Sequence, residues 1–228
     1  MIGRYCGVAV LAASIVCPPP VAAFSPKDAA PTVRTQKIAD FKGEMASRDT
    51  LGVANWVIAS SDNGDRPFVI VDKVNARVYL FDRQAQFVGA APALLGLGRG
   101  DDSIAGIGQR KLSAIEARER TTPAGRFIAS LGNDYTQDIL WVDYHLALSL
   151  HRVIAGNAKD RRHQRLASVT PLDNRISYGC INVPVAFYDD LIIPAFTGTT
   201  GIVYILPEIK MIEEVFAMQK PKNDGPGS

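Results

Sequence analysis

The chain has 228 residues, 47% of them hydrophobic and 21% charged, with a formal net charge of +2. That length suits one sizeable domain with trimmings rather than two, and the apolar share is enough for a core. The 25 basic and 23 acidic residues are mostly intermingled. Without a basic stripe carrying interleaved aromatics, a nucleic-acid partner is not expected.

The first 23 residues have the order of a secretory signal peptide. Arg4 precedes an apolar run over residues 8–16, then Pro18-Pro19-Pro20, then small residues ending at Ala23. The run is too short for a permanent bilayer span. An uncleaved anchor, or a lipoprotein signal at Cys17, stays open, although Val16 occupies a position where lipidation signals want a small residue. Export decides the cysteine count. Of Cys6, Cys17 and Cys180, only Cys180 would remain, and a lone thiol in an oxidising compartment cannot form an internal disulfide. Such a residue is either buried and inert or retained for its reactivity.

Residues 24–53 read as a polar linker, with one short helix over 35–48. Residues 55–60 (NWVIAS) and 68–72 (FVIVD) read as strands separated by a turn at 61–65, and a second turn at 72–75 leads into strands at 77–82 and 86–90. Residues 95–109 are Gly-rich, but the acidic pair Asp101-Asp102 and the lack of a following Lys-Ser or Lys-Thr make them a mobile surface loop rather than a phosphate cradle. After a turn at 122–125, strands are expected at 126–130, 139–142 and 146–150, the last ending on His151. Residues 154–174 are polar and Arg-rich, helical or irregular. Pro184 opens a helix with an apolar face, 201–206 is a buried strand, and 211–228 is a polar tail.

Cys180 lies in Ser177-Tyr178-Gly179-Cys180-Ile181-Asn182. A glycine before the thiol permits positive φ and close backbone approach, which suits a nucleophile whose neighbouring N–H groups face a reacting carbonyl. A thiol needs a base or a positive field to become thiolate near neutral pH, and the chain offers His145, His151 and His163. On these residues alone, a small buried cysteine on a strand is an equal reading.

The segment resembles the signature of the YkuD-type L,D-transpeptidase catalytic domain, in which a strand-end histidine precedes Ser/Thr-x-Gly-Cys-apolar-Asn/Arg. Residues 69–72 with 77–81 are similar to that domain's opening strands, Thr122-Pro123-Ala124-Gly125-Arg126-Phe127 to its Thr-Pro-x-Gly-x-Phe turn, and 201–205 to its closing strand. The resemblance covers residues 68 to 207 and implies a mainly β, YkuD-like β-sandwich with a few short helices, occupying residues 54–210. It further implies an enzyme of the periplasm or cell envelope, without metal or cofactor, whose partners are peptidoglycan stem peptides. The thiolate of Cys180 would displace a terminal D-alanine, leaving an acyl-thioester that an amine resolves into a 3→3 cross-link or an attached partner. Gly179, Cys180 and Tyr178 would supply oxyanion donors, and Ser177 and Asn182 would complete the site. Hydrolysis of the same acyl-enzyme, or a non-catalytic wall-binding role, are the alternatives.

His163 lies 17 residues before Cys180, the family's usual spacing, whereas His151 lies 29 before it. Loop length is a weak constraint, however, and His163 sits in a basic, solvated run. His151 at a strand end is the expected base, with an insertion between 156 and 174. The family often has Gly after the histidine and His before Gly-Cys, where this chain has Arg152 and Tyr178. Arg152 is a candidate for a stem-peptide carboxylate or an exposed strand-end charge; Tyr178 either lines the acyl pocket or packs.

Overall fold

In 68–72 and 77–81 nearly every position is apolar, the pattern of strands covered on both faces. The computed structural model of the chain describes Gly3 and residues 38–134 and 137–218. The expected signal segment, apart from Gly3, and the tail beyond residue 218 lie outside the described residues.

The chain is mainly β, with a large mixed sheet and a few short helices. The strands are β1 (Phe68–Asp72), β2 (Arg77–Phe81), β3 (Phe87–Pro92), β4 (Leu95–Gly96), β5 (Gly125–Asn133), β6 (Asp138–Asp143), β7 (Leu148–Arg152), β8 (Arg175–Ser177), β9 (Ile181–Val183) and β10 (Thr200–Ile205). Eight form one sheet in the order β3-β2-β1-β10-β5-β6-β7-β9, and β4 pairs with β8.

Alternation divides the apolar residues between two cores. Val69, Val71, Val78, Leu80, Val203 and Ile205 join residues of β6, β7 and β9 in one cluster. Phe68, Ile70, Tyr79, Phe81, Ile202 and Tyr204 form the other. Because both edges of the sheet feed the first cluster, the sheet is rolled around it. Its ends meet where Leu94, just past β3, exchanges two backbone hydrogen bonds with Asn182 of β9, at 2.8 and 2.9 Å.

The second core is closed by a helix that the short window 55–60 misread as a strand. Helix α1 (Arg48–Ser60) buries Thr50, Val53, Ala54 and Val57, the i, i+3, i+4, i+7 stripe of a helix face. Ser47 caps it, its hydroxyl accepting the Thr50 N–H at 3.1 Å, and Ser61 ends it in the left-handed conformation. Residues 38–47, read as part of a helix, are irregular instead. The described parts of the expected linker and tail, residues 38–53 and 211–218, belong to the packed body. Ala39, Phe41 and Val53 lie inside the linker bounds, and Phe216 follows helix α5 (Ile212–Val215) inside the tail bounds, yet all four are buried in this core.

Three more helical pieces matter below. Helix α2 (Arg162–Leu166) lies in the polar insertion. Helices α3 (Val185–Phe187) and α4 (Ile193–Phe196) flank a π-turn (Tyr188–Ile192) and cover the first core. The Gly-rich stretch is not a free surface loop. A Cβ at Gly96 would lie 2.2 Å from the Arg120 carbonyl oxygen, so β4 packs backbone to backbone against the segment leading to Thr122. No helix among the described residues is long and apolar enough to cross a membrane.

Candidate active site

Successive side chains of a strand point to opposite faces, so Ser149 and His151 of β7 share one. Strand β7 runs parallel to β9 with His151 opposite Asn182 and Leu150 opposite Ile181. Cys180, the residue before β9, therefore falls beside that same face. The Ser149 hydroxyl donates to Cys180 Sγ at 3.4 Å, the thiol donates to the Ala147 carbonyl at 3.5 Å, and the His151 ring lies near enough for its charge to act on the sulfur. His151 Nδ1 stands 2.7 Å from the Arg152 carbonyl oxygen. A carbonyl only accepts, so Nδ1 carries the proton and Nε2 presents the basic lone pair. Asn182 Nδ2 lies 3.2 Å from that Nε2.

Burial pushes the Cys180 thiol up, but the His151 hydrogen bond and charge, followed by the contacts with Ser149, pull it below its ordinary value. Burial acts on His151 in the opposite sense, lowering it, and the Cys180 hydrogen bond and charge, the Arg152 carbonyl and Asp134 outweigh that and raise it. The two shifts together favour a thiolate–imidazolium pair. Its titrations belong to the pair rather than to either residue.

The turn before Cys180 is held by side chains. Gly179 adopts φ 131°, and a Cβ there would lie 2.8 Å from the Thr121 carbonyl oxygen, so glycine is required. The Gly179 N–H donates to Ser177 Oγ at 3.1 Å, and that hydroxyl donates to the Cys180 carbonyl at 2.6 Å. This corrects the expected donor set: the Gly179 N–H is occupied, whereas those of Tyr178 and Cys180 have no hydrogen-bond partner among the described residues.

Thr122, fully buried, donates its hydroxyl proton to the Gly179 carbonyl at 2.7 Å and accepts the Gly96 N–H at 2.9 Å. With its carbonyl fixed this way, the Gly179–Cys180 peptide turns the Cys180 N–H to the opposite side. Thr122→Val keeps the volume but strands both partners, and each stranded group costs about 1–3 kcal/mol. We expect a lower melting temperature together with roughly tenfold slower acylation of Cys180, a loss of about 1.4 kcal/mol in transition-state stabilisation. Thr122→Ser should recover both, as read by thermal melts and stopped-time mass spectrometry.

A groove opens beside Cys180, walled by Tyr178, Ala147, Thr121 and the 103–115 segment, including Ile107, Arg110 and Ile115. Arg110 pairs with Glu119 at 3.0 Å, and the Arg120 guanidinium lies 4.0 Å above the half-exposed Tyr178 ring. Tyr178 is thus among the residues that line the groove. Arg152 does not reach it. Its guanidinium pairs with Asp138 at 2.9 Å and Asp189 at 2.6 Å and stacks over Tyr188, which corrects its reading as a carboxylate binder or an exposed strand-end charge.

His163 and His145 are exposed, on α2 and in the turn before β7 respectively. That turn holds Ala147 at φ 49° and replaces the first two residues of the strand expected from 146. Among the described residues no group of three His, Cys, Asp or Glu side chains is arranged to hold a metal. Sequence reading missed Thr122, Ser149 and Arg162 as parts of this constellation. For Ser149 a signal existed: it stands two residues before His151, on the same strand face.

No family model and no curated protein matches the chain. Among solved structures it is similar to the catalytic domain of an L,D-transpeptidase from E. faecium, at 15% identity and a TM-score of 0.39, over 62% of this chain and 98% of that one. It is also similar to the LD transpeptidase LdtMt1 in complex with imipenem, at 16% identity and 0.34, over 61% and 58% of the two chains. A third likeness is to the helical cell shape determining protein Pgp2 from Campylobacter jejuni, at 13% and 0.40, over 69% and 55%. The chain thus spans little more than half the length of the last two. Likenesses this distant leave the chemistry to rest on the side chains described above.

Proposed function

We propose that this chain is an exported cysteine acyltransferase of the L,D-transpeptidase kind, acting on peptidoglycan stem peptides in the periplasm or cell envelope. One observation carries the reading: Cys180 sits beside a histidine whose other nitrogen is locked on a carbonyl, next to a backbone N–H without a hydrogen-bond partner among the described residues. A merely structural cysteine needs none of these three.

His151 Nε2 takes the thiol proton, and the sulfur attacks the carbonyl of the stem's diamino acid, forming a C–S bond. The oxyanion faces the N–H groups of Cys180 and Tyr178. Collapse breaks the C–N bond, and the imidazolium returns its proton to the departing D-alanine amine. An acceptor amine then attacks the thioester, gives its proton to Nε2 and releases the thiolate, leaving a 3→3 cross-link or an attached partner. Splitting one amide exchange into two acyl transfers lowers each barrier.

Purified protein incubated with tetrapeptide muropeptides is expected to gain the mass of the acyl group on Cys180 and to release cross-linked dimers when an acceptor stem is present. Tripeptide alone would assign hydrolysis. Cys180→Ala is expected to remove both the adduct and labelling by a thiol-acylating β-lactam; unchanged processing in that variant would leave a wall-binding role.

A further inference from the structure

The polar insertion reaches the catalytic histidine. Leu166 of α2 is buried against Leu94 and Val153, with Ile176 packed alongside, and Leu94 is the residue that pairs with Asn182. This anchor sets Arg162, at the start of α2, over the site. Arg162 Nη1 donates to Asn182 Oδ1 at 3.0 Å, and its Nε pairs with Asp160 at 3.3 Å. Gly156 turns the loop at φ 58°, in the left-handed region that glycine adopts at no steric cost. Asn182 is itself buried.

The guanidinium can only donate, so it fixes which end of the Asn182 amide is oxygen. The oxygen faces Arg162, and the NH₂ faces His151 Nε2 at 3.2 Å and the Cys180 carbonyl at 3.4 Å. The consequence is chemical. Were the amide to flip, its oxygen would accept from an Nε2–H and hold the imidazolium away from its two proper acceptors, the Cys180 sulfur and the departing amine. We propose that Arg162, supplied by the 157–174 insertion, is a positioning residue that holds the Asn182 oxygen away from His151, so that the proton on Nε2 exchanges only with Cys180 and the leaving group. This rests on His151 being the base of the proposed reaction.

The charged or titratable groups around His151 are Cys180 ahead of β9, Asp134 after β5, Arg152 on β7 itself and Arg162 acting through Asn182. Arg152 is neutralised by Asp138 of β6 and Asp189 of the π-turn.

The test needs no stem peptide, so it fails or succeeds independently of the transpeptidase reading. His151 is titrated by ring-nitrogen NMR in the wild-type chain, Arg162→Met, Arg162→Lys, Asn182→Ala and the Arg162→Met/Asn182→Ala double variant. Iodoacetamide alkylation of Cys180 is followed across the same pH range. Arg162→Met keeps the aliphatic stem and frees the amide. It is expected to raise the His151 midpoint by about one unit, a tenfold bias toward imidazolium. Arg162→Lys, which still donates, should restore most of the wild-type midpoint. In the Asn182→Ala background Arg162→Met should shift it little, because the amide that carries the effect is gone. An undiminished shift there would assign the effect to charge alone, and no shift in Arg162→Met would remove it altogether; either result overturns the proposal. Should Arg162→Met fail to fold, proximity of the Asn182 NH₂ protons to the His151 ring in the wild-type NMR spectrum supports the orientation, and proximity to the Arg162 guanidinium instead overturns it.

Discussion

His151→Ala is expected to slow acylation of Cys180 by about 10²- to 10⁴-fold, the contribution of a positioned general base. His163→Ala, by contrast, should leave the rate within about twofold, since an exposed side chain on α2 contributes little there. The pH dependence separates a base from a packing residue. In the wild-type chain the thiol lies below its ordinary value and the imidazole above, so reactivity should persist through neutrality. It is lost on the acid side as the thiolate is protonated, and proton return to the leaving group is lost on the basic side as the imidazolium gives up its proton. Without His151 the stabilising hydrogen bond and charge are gone while burial remains. The acid limb of iodoacetamide alkylation should then move up to the free-thiol range near about 8.5 or beyond it. If His163→Ala produced that movement and His151→Ala did not, the base would have to be reassigned.

The strand runs and the turn that holds Cys180 were legible in the sequence because their signals are local. Residues 68–72 and 77–81 are nearly all apolar, and the glycine before Cys180 is required where it stands. The placement of His151 beside Cys180 was legible from strand context despite the better spacing of His163, because strands position side chains and loops do not. Helix α1 was lost by taking six residues where the burial stripe runs from Thr50 to Val57. What failed elsewhere was partnership at long range. Nothing near Arg152 announces Asp138 and Asp189, and nothing in the 157–174 run says that Arg162 turns inward to Asn182 while Arg165 donates to the Asp160 and Asp173 carbonyls. The Gly179 N–H was assigned to the oxyanion from its position in the motif. Its capture by Ser177, two residues away, depends on a rotamer that no sequence pattern encodes.

Asp101→Ala is expected to be the most destabilising single change in the described part of the chain, although the sequence placed Asp101 in a surface loop and Lys73 in a turn. Both side chains are buried, paired at 2.7 Å. Lys73 gives one proton each to the Gly100 carbonyl, Asp101 and the Thr122 carbonyl, at 2.6, 2.7 and 2.9 Å, using all three donors of an ammonium. Burial pulls Lys73 down and, acting alone, would raise Asp101. The full set of donors argues that the ammonium is charged, and Lys73 together with the N–H groups of Lys210, Glu208 and Ile209 holds Asp101 down at about 2. Removing the carboxylate leaves the buried ammonium only the more distant Glu208, at 3.8 Å, as an ion partner, a loss of about 3 kcal/mol, or roughly 10 °C in melting temperature. Asp101→Ala with Lys73→Met should cost less than Asp101→Ala alone, because no charge is then stranded. The sign with pH follows from a depressed carboxyl. Its contribution, on the order of 2 kcal/mol, is complete above roughly pH 4. It fades as pH falls toward about 2 in the folded chain, so wild-type melts should drop over that window and Asp101→Ala melts should drop less there. The same network bears on catalysis. Lys73 holds the Thr122 carbonyl, the Thr122 hydroxyl holds the Gly179 carbonyl, and that peptide aims the Cys180 N–H. Asp101→Ala should therefore slow acylation even below its melting temperature, with the affinity for the stem peptide changed less than the rate.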